Sequence, residues 1–467
     1  MRTENMLLGM AAIAGCTLLS ERAFAEELTA VSSGDRAVRA SYQAAAARSA
    51  RLAAEARVDQ ASAAYLPRLN LSARYTRSSD LTAPPLFPFA IAATDAPAGT
   101  VSPATASTGP VSIAPILDNY SLDATLTLPL SDYVLRLARG LEAAQRGRDA
   151  AEWEVVVADS RARLSGRVAF YEWLRAGAAL EAAKDTVTEQ RAHVADVTKQ
   201  LAQGNASRAD LLRVESAVSG AEATLAEATA QRATAERRLR TLLHLDDSQP
   251  VTTNEGVDAT LAPSVRSEGE WLAEAQRTRA ELLALSATEA AARAQAQLAR
   301  ATYLPTLGAF ASATYANPNP RYFPPEAQWH GTWALGASVT WSVTDIPGAR
   351  ASASEAEARG DAVAGQRSAL RDALTVDVVQ SFQSVIAADA RVVSTDKQLA
   401  SASEAYRVTR SLSANARATT SNVLDAETDL ARARLAWVNA RVDARVARAR
   451  LDHAAGRYQA TSPTPPR

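Results

Sequence analysis

Apolar positions along the chain fall into two alternating periods. Between Ser207 and Leu242, the residues Leu211, Val214, Val218, Ala221, Leu225, Ala228, Ala235, Leu239 and Leu242 recur at steps of three and four, with Arg232 the one polar residue in register. Such a seam belongs to a helix that needs a facing helix. The pattern returns 212 residues later as Val423, Ala426, Leu430, Ala433, Trp437, Ala440, Ala444, Ala447, Leu451 and Ala454. Four shorter stretches alternate with period two instead. They are Leu69, Leu71, Ala73 and Tyr75; Tyr120, Leu122, Ala124, Leu126 and Leu128; Leu307, Ala309, Ala311, Ala313 and Tyr315; and Trp333, Leu335, Ala337, Val339, Trp341 and Val343. Each predicts a strand with one apolar and one polar or small-residue face.

Punctuation residues order these segments into a tandem repeat. The Ala-rich stretch from Val38 to Ala64 reads as a helix closed by Tyr65-Leu66-Pro67, and Glu268 to Ala301 reads as its counterpart, closed by Tyr303-Leu304-Pro305. A first β-hairpin spans 68–130 around a Pro-, Ala-, Ser- and Thr-rich segment, 81–117, that reads as a long irregular loop. A second spans 306–345. Long helical hairpins follow at 132–245 and 348–456. The helical run from Asp132 to Gln203 would reach on the order of 100 Å, which no compact domain accommodates. Its turn is Gly204-Asn205-Ala206-Ser207, a helix stop followed by an N-cap, and the second hairpin turns at Asn415, Ala416, Arg417, Ala418 and Thr419. The repeats therefore span 26–245 and 268–456, joined by a linker at 246–267 and followed by a disordered tail at 457–467.

Composition sets the class. The chain has 467 residues, a formal net charge of −1 and 47% apolar residues, as expected of a folded protein. Only Lys184, Lys199 and Lys397 of its basic residues are lysines, and the arginines are interleaved with Asp and Glu, which describes solvated helix faces and not a nucleic-acid surface. Residues 1–25 read as a secretory signal, with an apolar run from Met6 to Leu19 and Ala23-Phe24-Ala25 before Glu26. Ile13-Ala14-Gly15-Cys16 supports a competing reading in which Cys16 carries a lipid. The continuation of the apolar run through Leu18 and Leu19 favours the later cut. No later run of about 18 apolar residues follows, so a membrane could be crossed only by strands.

The strands have roughly the 9–11 residues needed to cross a tilted bilayer. Tyr75, Tyr120, Tyr315, Trp329 and Trp333 suit an interfacial girdle. Four strands cannot close a barrel, and an open edge in lipid leaves backbone groups unsatisfied, so the barrel must be shared among chains. Two chains give a nearly filled lumen of eight strands, and three give a twelve-stranded channel.

In this order of parts the sequence resembles the TolC-type outer-membrane factor family. The resemblance runs from about Val38 to Gly456 and rests on the paired Tyr-Leu-Pro motifs, on Arg279-Ala280-Glu281-Leu282, and on the tip sequences Gly204 to Asp210 and Val423-Leu424-Asp425-Ala426. It implies a homotrimer in the lipid of the bacterial outer membrane, with a periplasmic α-barrel of long antiparallel coiled coils. It also implies a periplasmic adaptor (membrane fusion) protein and an inner-membrane pump of RND, ABC or MFS type as partners. In the family, acidic residues just after the second tip ring the periplasmic entrance, and links between coiled coils hold it shut. Asp425 matches one such position and Asn422 neutralises the one a turn earlier. Asp210 matches the first-repeat partner. Ala418 stands where an arginine is expected, with Arg417 and Arg208 as substitutes. The plainer account of both aspartates is helix N-terminal stabilisation, about 0.3–1 kcal/mol each.

Catalytic chemistry is not indicated. His193, His244, His330 and His453 are scattered and read as exposed or locally bonded. There is no phosphate loop, serine elbow or cysteine nucleophile, so no enzyme activity, cofactor or metal is expected. The alternative to an export channel is a periplasmic coiled-coil adaptor or scaffold whose strands belong to a soluble domain.

Overall fold

The computed structural model describes residues 27–80, 86–91, 107–111, 115–259, 261, 266–415 and 417–458. The signal segment with Cys16, the middle of the first loop, Ala416 and residues 459–467 lie outside them. The chain divides into two compact units. One is Arg48–Glu154 with Glu281–Ala369, and the other is Met1–Ala47 with Val155–Ala280 and Leu370–Arg467.

The first of these carries the sheet. Strands β1 (Arg68–Arg77), β4 (Asp118–Leu128), β5 (Thr306–Asn317) and β6 (His330–Thr340) pair antiparallel in the order β1-β4-β5-β6. Register pairs Leu71 with Ala124, Ala124 with Ala313 and Ala313 with Trp333, so the apolar positions of all four strands share one face. The predicted alternation is thus a property of the whole sheet. That face is bare: Trp333 is 76% exposed and Leu335 74%. Three successive antiparallel pairings leave β1 and β6 as the sheet's edges, unpaired among the described residues and running in opposite directions.

Two expectations for this unit need correction. The loop at 81–117 is not wholly irregular, because β2 (Leu86–Ile91) and β3 (Ser107–Val111) pair as a separate antiparallel ribbon. Its register shifts between Leu86 and Phe89, where Pro88 cannot donate to the ladder. The fourth main strand ends at Thr340 and not at Val343. There the Trp341 indole N–H turns to donate to the Tyr303 carbonyl at 3.1 Å, and Val343–Asp345 form a 3-10 turn into α8 (Ile346–Ala414).

The other unit is helical, and the helical segments within 48–63, 132–154, 281–301 and 346–369 belong to the first. Helix α1 (Ala30–Ala40) starts in a capping box at Thr29, and the predicted single helix from Val38 to Ala64 breaks at Ser41, whose hydroxyl accepts from the Ala44 N–H at the start of α2 (Tyr42–Ala63). The matching helix of the second repeat breaks at Arg279 into α6 (Glu268–Thr278) and α7 (Ala280–Ala301). The predicted helix from Asp132 is a short α3 (Asp132–Leu135) and then α4 (Leu137–Ala202). Its partner is α5 (Arg208–Leu243), and α9 (Thr420–Ala454) partners α8.

Most seam positions are buried, Leu211, Val214, Ala221, Ala228 and Leu239 in α5 and Val423, Leu430, Ala433, Ala440, Ala444, Ala447, Leu451 and Ala454 in α9, while Val218, Leu225, Ala235, Leu242, Ala426 and Trp437 are half-buried. Arg232 keeps its place by lying 4.1 Å over the Trp173 ring and donating to the Trp173 carbonyl at 2.7 Å. Burial lowers its guanidinium pKa. Phe170, Trp173, Leu239 and Leu243 with Leu28 and Ala37 form one apolar cluster, and Trp271, Val378, Val385, Ala444 and Leu451 form another. Helix α1 meets α4 at Gly166, where an added Cβ would lie 2.5 Å from the Ser33 carbonyl oxygen.

The described part of 246–267 is packed: Leu28 N–H donates to the Thr252 carbonyl at 2.9 Å, and Arg445 donates to the carbonyls of Gly256 and Ala259 at 3.1 and 2.8 Å. The tail predicted at 457–467 begins in order. Tyr458 is buried, its hydroxyl accepts from Arg167 at 3.0 Å, and burial pushes its pKa up to about 12.

Candidate functional site at the helical tips

The first tip is a helix stop and a helix start in immediate succession. Gly204 takes the left-handed φ of 76°, which an L side chain rarely adopts, and Asn205 N–H donates back to the Gln200 carbonyl at 2.8 Å. Ser207 then caps α5. Its hydroxyl accepts from the Asp210 N–H at 3.1 Å, while its own N–H and hydroxyl donate to Asp210 Oδ2 at 3.0 and 2.6 Å. Those donors, the hydroxyl first and the backbone N–H second, lower the Asp210 pKa.

The second tip repeats this construction with one charge missing. Thr419 caps α9, its hydroxyl accepts from the Asn422 N–H at 3.3 Å, and Asn422 Oδ1 accepts from the Thr419 N–H at 3.1 Å and from the Thr419 hydroxyl. Asn415 and Arg417 both donate backbone N–H groups to the Leu412 carbonyl, at 3.1 and 2.9 Å. The offset of 212 residues carries Ser207 onto Thr419 and Asp210 onto Asn422. It also carries Arg213 onto Asp425.

This correspondence separates the two aspartates. Asp210 is the third residue of its helix and is held in a cap. Asp425 is the sixth of α9, beyond the first turn in which the helix dipole acts, and it makes no hydrogen bond or ion pair among the described residues. Dipole stabilisation therefore accounts for Asp210 and not for Asp425. Asp425 lines an open groove of about 700 Å³ between α8 and α9 with Asn422 and Asp429. Arg208 and Arg417 are exposed, and Ala418 is half-buried behind the cap.

At the tips themselves Arg213 joins the two hairpins, a role that the sequence alone does not mark. Its Nη1 reaches Asp210 Oδ1 at 3.4 Å and donates to Ser421 Oγ in the first turn of α9 at 3.0 Å. Above the tips Arg434 donates to both oxygens of Glu189 at 2.8 Å, and Arg410 contacts Asp196 at 3.4 Å. His193, expected to be exposed or locally bonded, is buried and faces the buried Glu427 across 234 residues at 3.1 Å. The reason is spacing: Glu427 lies one residue past the seam position Ala426, inside the helix contact, and needs a donor there. His453 also has a distant partner, the Ser160 hydroxyl at 3.1 Å, while His244 caps the end of α5. No group of metal ligands occurs among the described residues.

Comparison with known proteins follows the same division into repeats. Residues 35–244 and 271–457 match the model of a family described as outer membrane efflux protein. No curated protein matches. Among solved structures, the outer-membrane channel MtrE of Neisseria gonorrhoeae in its open state is 18% identical with a TM-score of 0.72, over 91% of this chain and 88% of that one. The outer-membrane protein VceC of Vibrio cholerae is 20% identical with a TM-score of 0.69, over 91% and 96%. The outer-membrane channel CmeC of Campylobacter jejuni is 13% identical with a TM-score of 0.71, over 99% and 96%. At these identities the structures speak for a common fold.

Proposed function

Since the chain belongs to the outer membrane efflux protein family and so serves as an outer-membrane exit channel of an export system, we propose that three copies close their sheets edge to edge into one twelve-stranded wall. The observation that carries this reading is the pair of open edges. Strands β1 and β6 are antiparallel to each other, so a second copy continues the ladder without a change of sense, and the alternating apolar positions, Leu71, Ala124, Ala313 and Trp333 among them, stay on one face. Three copies leave a lumen, whereas two leave one nearly filled by side chains. Native mass spectrometry in detergent is expected to give a trimer. A stable monomer that keeps its full strand content would sink the shared wall.

The helical hairpins belong to the periplasmic side, and members of this family work with periplasmic adaptors and inner-membrane pumps. We assign adaptor docking to the two tips, Gly204 to Ser207 and Asn415 to Thr419. The pump, of RND, ABC or MFS type, supplies the energy. Family membership leaves the soluble adaptor or scaffold reading without support.

The entrance is assigned to Asp425, with Asp210 and Arg213 tying the hairpins beside it. Three copies of an unpaired carboxylate at a constriction attract cations. Asp425→Ala is therefore expected to lower cation selectivity in planar-bilayer recordings at normal trimer yield. An unchanged reversal potential in a salt gradient removes Asp425 from the entrance.

A further inference from the structure

One cross-strand row on the polar face of the sheet differs from the others. Register aligns Arg68, Thr127, Phe310 and Gly336 across the four strands. The neighbouring row is Asn70, Thr125, Ser312 and Ala334, and the next is Ser72, Asp123, Thr314 and Thr332. No other Phe, Tyr or Trp shares this face among the described strand residues, since Tyr75, Tyr120, Tyr315 and Trp333 all belong to the opposite one.

The far end of the Phe310 ring reaches across to stand over Gly336. A Cβ added at Gly336 would meet its Cζ at 2.7 Å and its Cε1 at 2.9 Å, so glycine is what gives the ring room there. Phe310 remains 36% exposed. Arg68 is exposed in the same row and makes no hydrogen bond or ion pair among the described residues. Only Thr127 separates the two, and two strand steps place their backbones about 9.5 Å apart.

We infer that this row is a luminal subsite for amphipathic organic anions, namely aromatic carboxylates or sulfonates. The solute's ring stacks on Phe310, and its anionic group crosses Thr127 to the Arg68 guanidinium, whose planar fork suits a carboxylate. Covering Gly336 accounts for an apolar side chain at Phe310. It accounts neither for an aromatic ring there nor for an unpaired cation at the same height. The inference rests on the reading above that this face bounds the aqueous pore.

The test is block of ion current through the reconstituted trimer by 2-naphthoate, against acetate and naphthylmethylammonium at equal concentration. The wild type is expected to be blocked by naphthoate well below the concentration at which either control acts. Arg68→Gln and Phe310→Leu are each expected to raise the half-blocking concentration about fivefold, roughly the weight of one aromatic or charge-assisted contact. Leucine keeps Gly336 covered, so a purely structural role for Phe310 predicts no change in block and would overturn the subsite. Naphthoate acting no better than acetate would overturn it equally. A correctly assembled trimer that passes no potassium chloride current would instead remove the channel reading, and the subsite with it.

Discussion

Leu335→Arg is expected to leave the chain unable to form its membrane-spanning oligomer, whereas Ala334→Arg, one residue earlier, is expected to assemble almost as the wild type does. Leu335 lies at the middle of β6 on the bare apolar face, paired across from Ala311, while Ala334 pairs with Ser312 on the polar face. An arginine presented to lipid at the bilayer midplane costs about 2–4 kcal/mol. In the proposed trimer that cost is incurred three times. An arginine on the luminal face meets water. Trimer yield in detergent extracts, read on native gels, checks both. Equal yields for the two variants would mean that the faces have been assigned wrongly.

Gly166→Val is expected to detach α1 from α4. The Ser33 carbonyl oxygen and the Ala37 Cβ stand 2.5 and 2.6 Å from where a Cβ at Gly166 would be, and the first of these is backbone, which cannot rotate aside. Gly34 packs somewhat less closely from the other helix, against the Arg163 side chain at 2.9 Å and its carbonyl oxygen at 3.1 Å. Forcing the helices apart costs about 1–3 kcal/mol as overpacking, before the loss of contacts around Leu28 and Ala37 is counted. Gly147, on the same helix α4, has nothing within 4 Å of its notional Cβ, so Gly147→Ala is expected to gain roughly 0.5–1 kcal/mol. Thermal melts followed by circular dichroism, with protease sensitivity at α1, separate the two. Unchanged melting of Gly166→Val would contradict the close contact.

Period and punctuation made most of this fold legible. The two seams, the turn at Gly204, the N-cap at Ser207, the second turn ending at Thr419, and the two faces of the sheet are all local regularities, and each is found where the pattern places it. What escaped depends on partners remote in sequence. Heptad spacing marks the neighbourhood of Glu427 as buried but cannot supply His193, which comes from another helix. The breaks at Ser41 and Arg279 interrupt helix-favouring sequence. Ser41 is visible only as a serine among many, and the Arg279 guanidinium reaches the His453 carbonyl far along the chain. The paired ribbon within the first loop was hidden because Pro88 and Pro110 argue against strands, and both fall in the stretch where its register is irregular. At the tips, helix N-terminal stabilisation is the plainer account of both Asp210 and Asp425 in the sequence, and only cap geometry distinguishes the third residue of one helix from the sixth of the other.

The open edges at β1 and β6 bear on kinetics as well as on architecture. The seams of the helical hairpins are completed within one chain, so their folding is first order in protein. A wall closed only by other copies is not, because its last backbone hydrogen bonds form in collisions between chains. On the trimeric reading, halving the number of newly exported chains lengthens the time each sheet spends with its edges exposed to proteases and to misdirected strand pairing. The yield of channel would then fall more steeply than the rate of synthesis, so low expression would waste a larger share of the chains made.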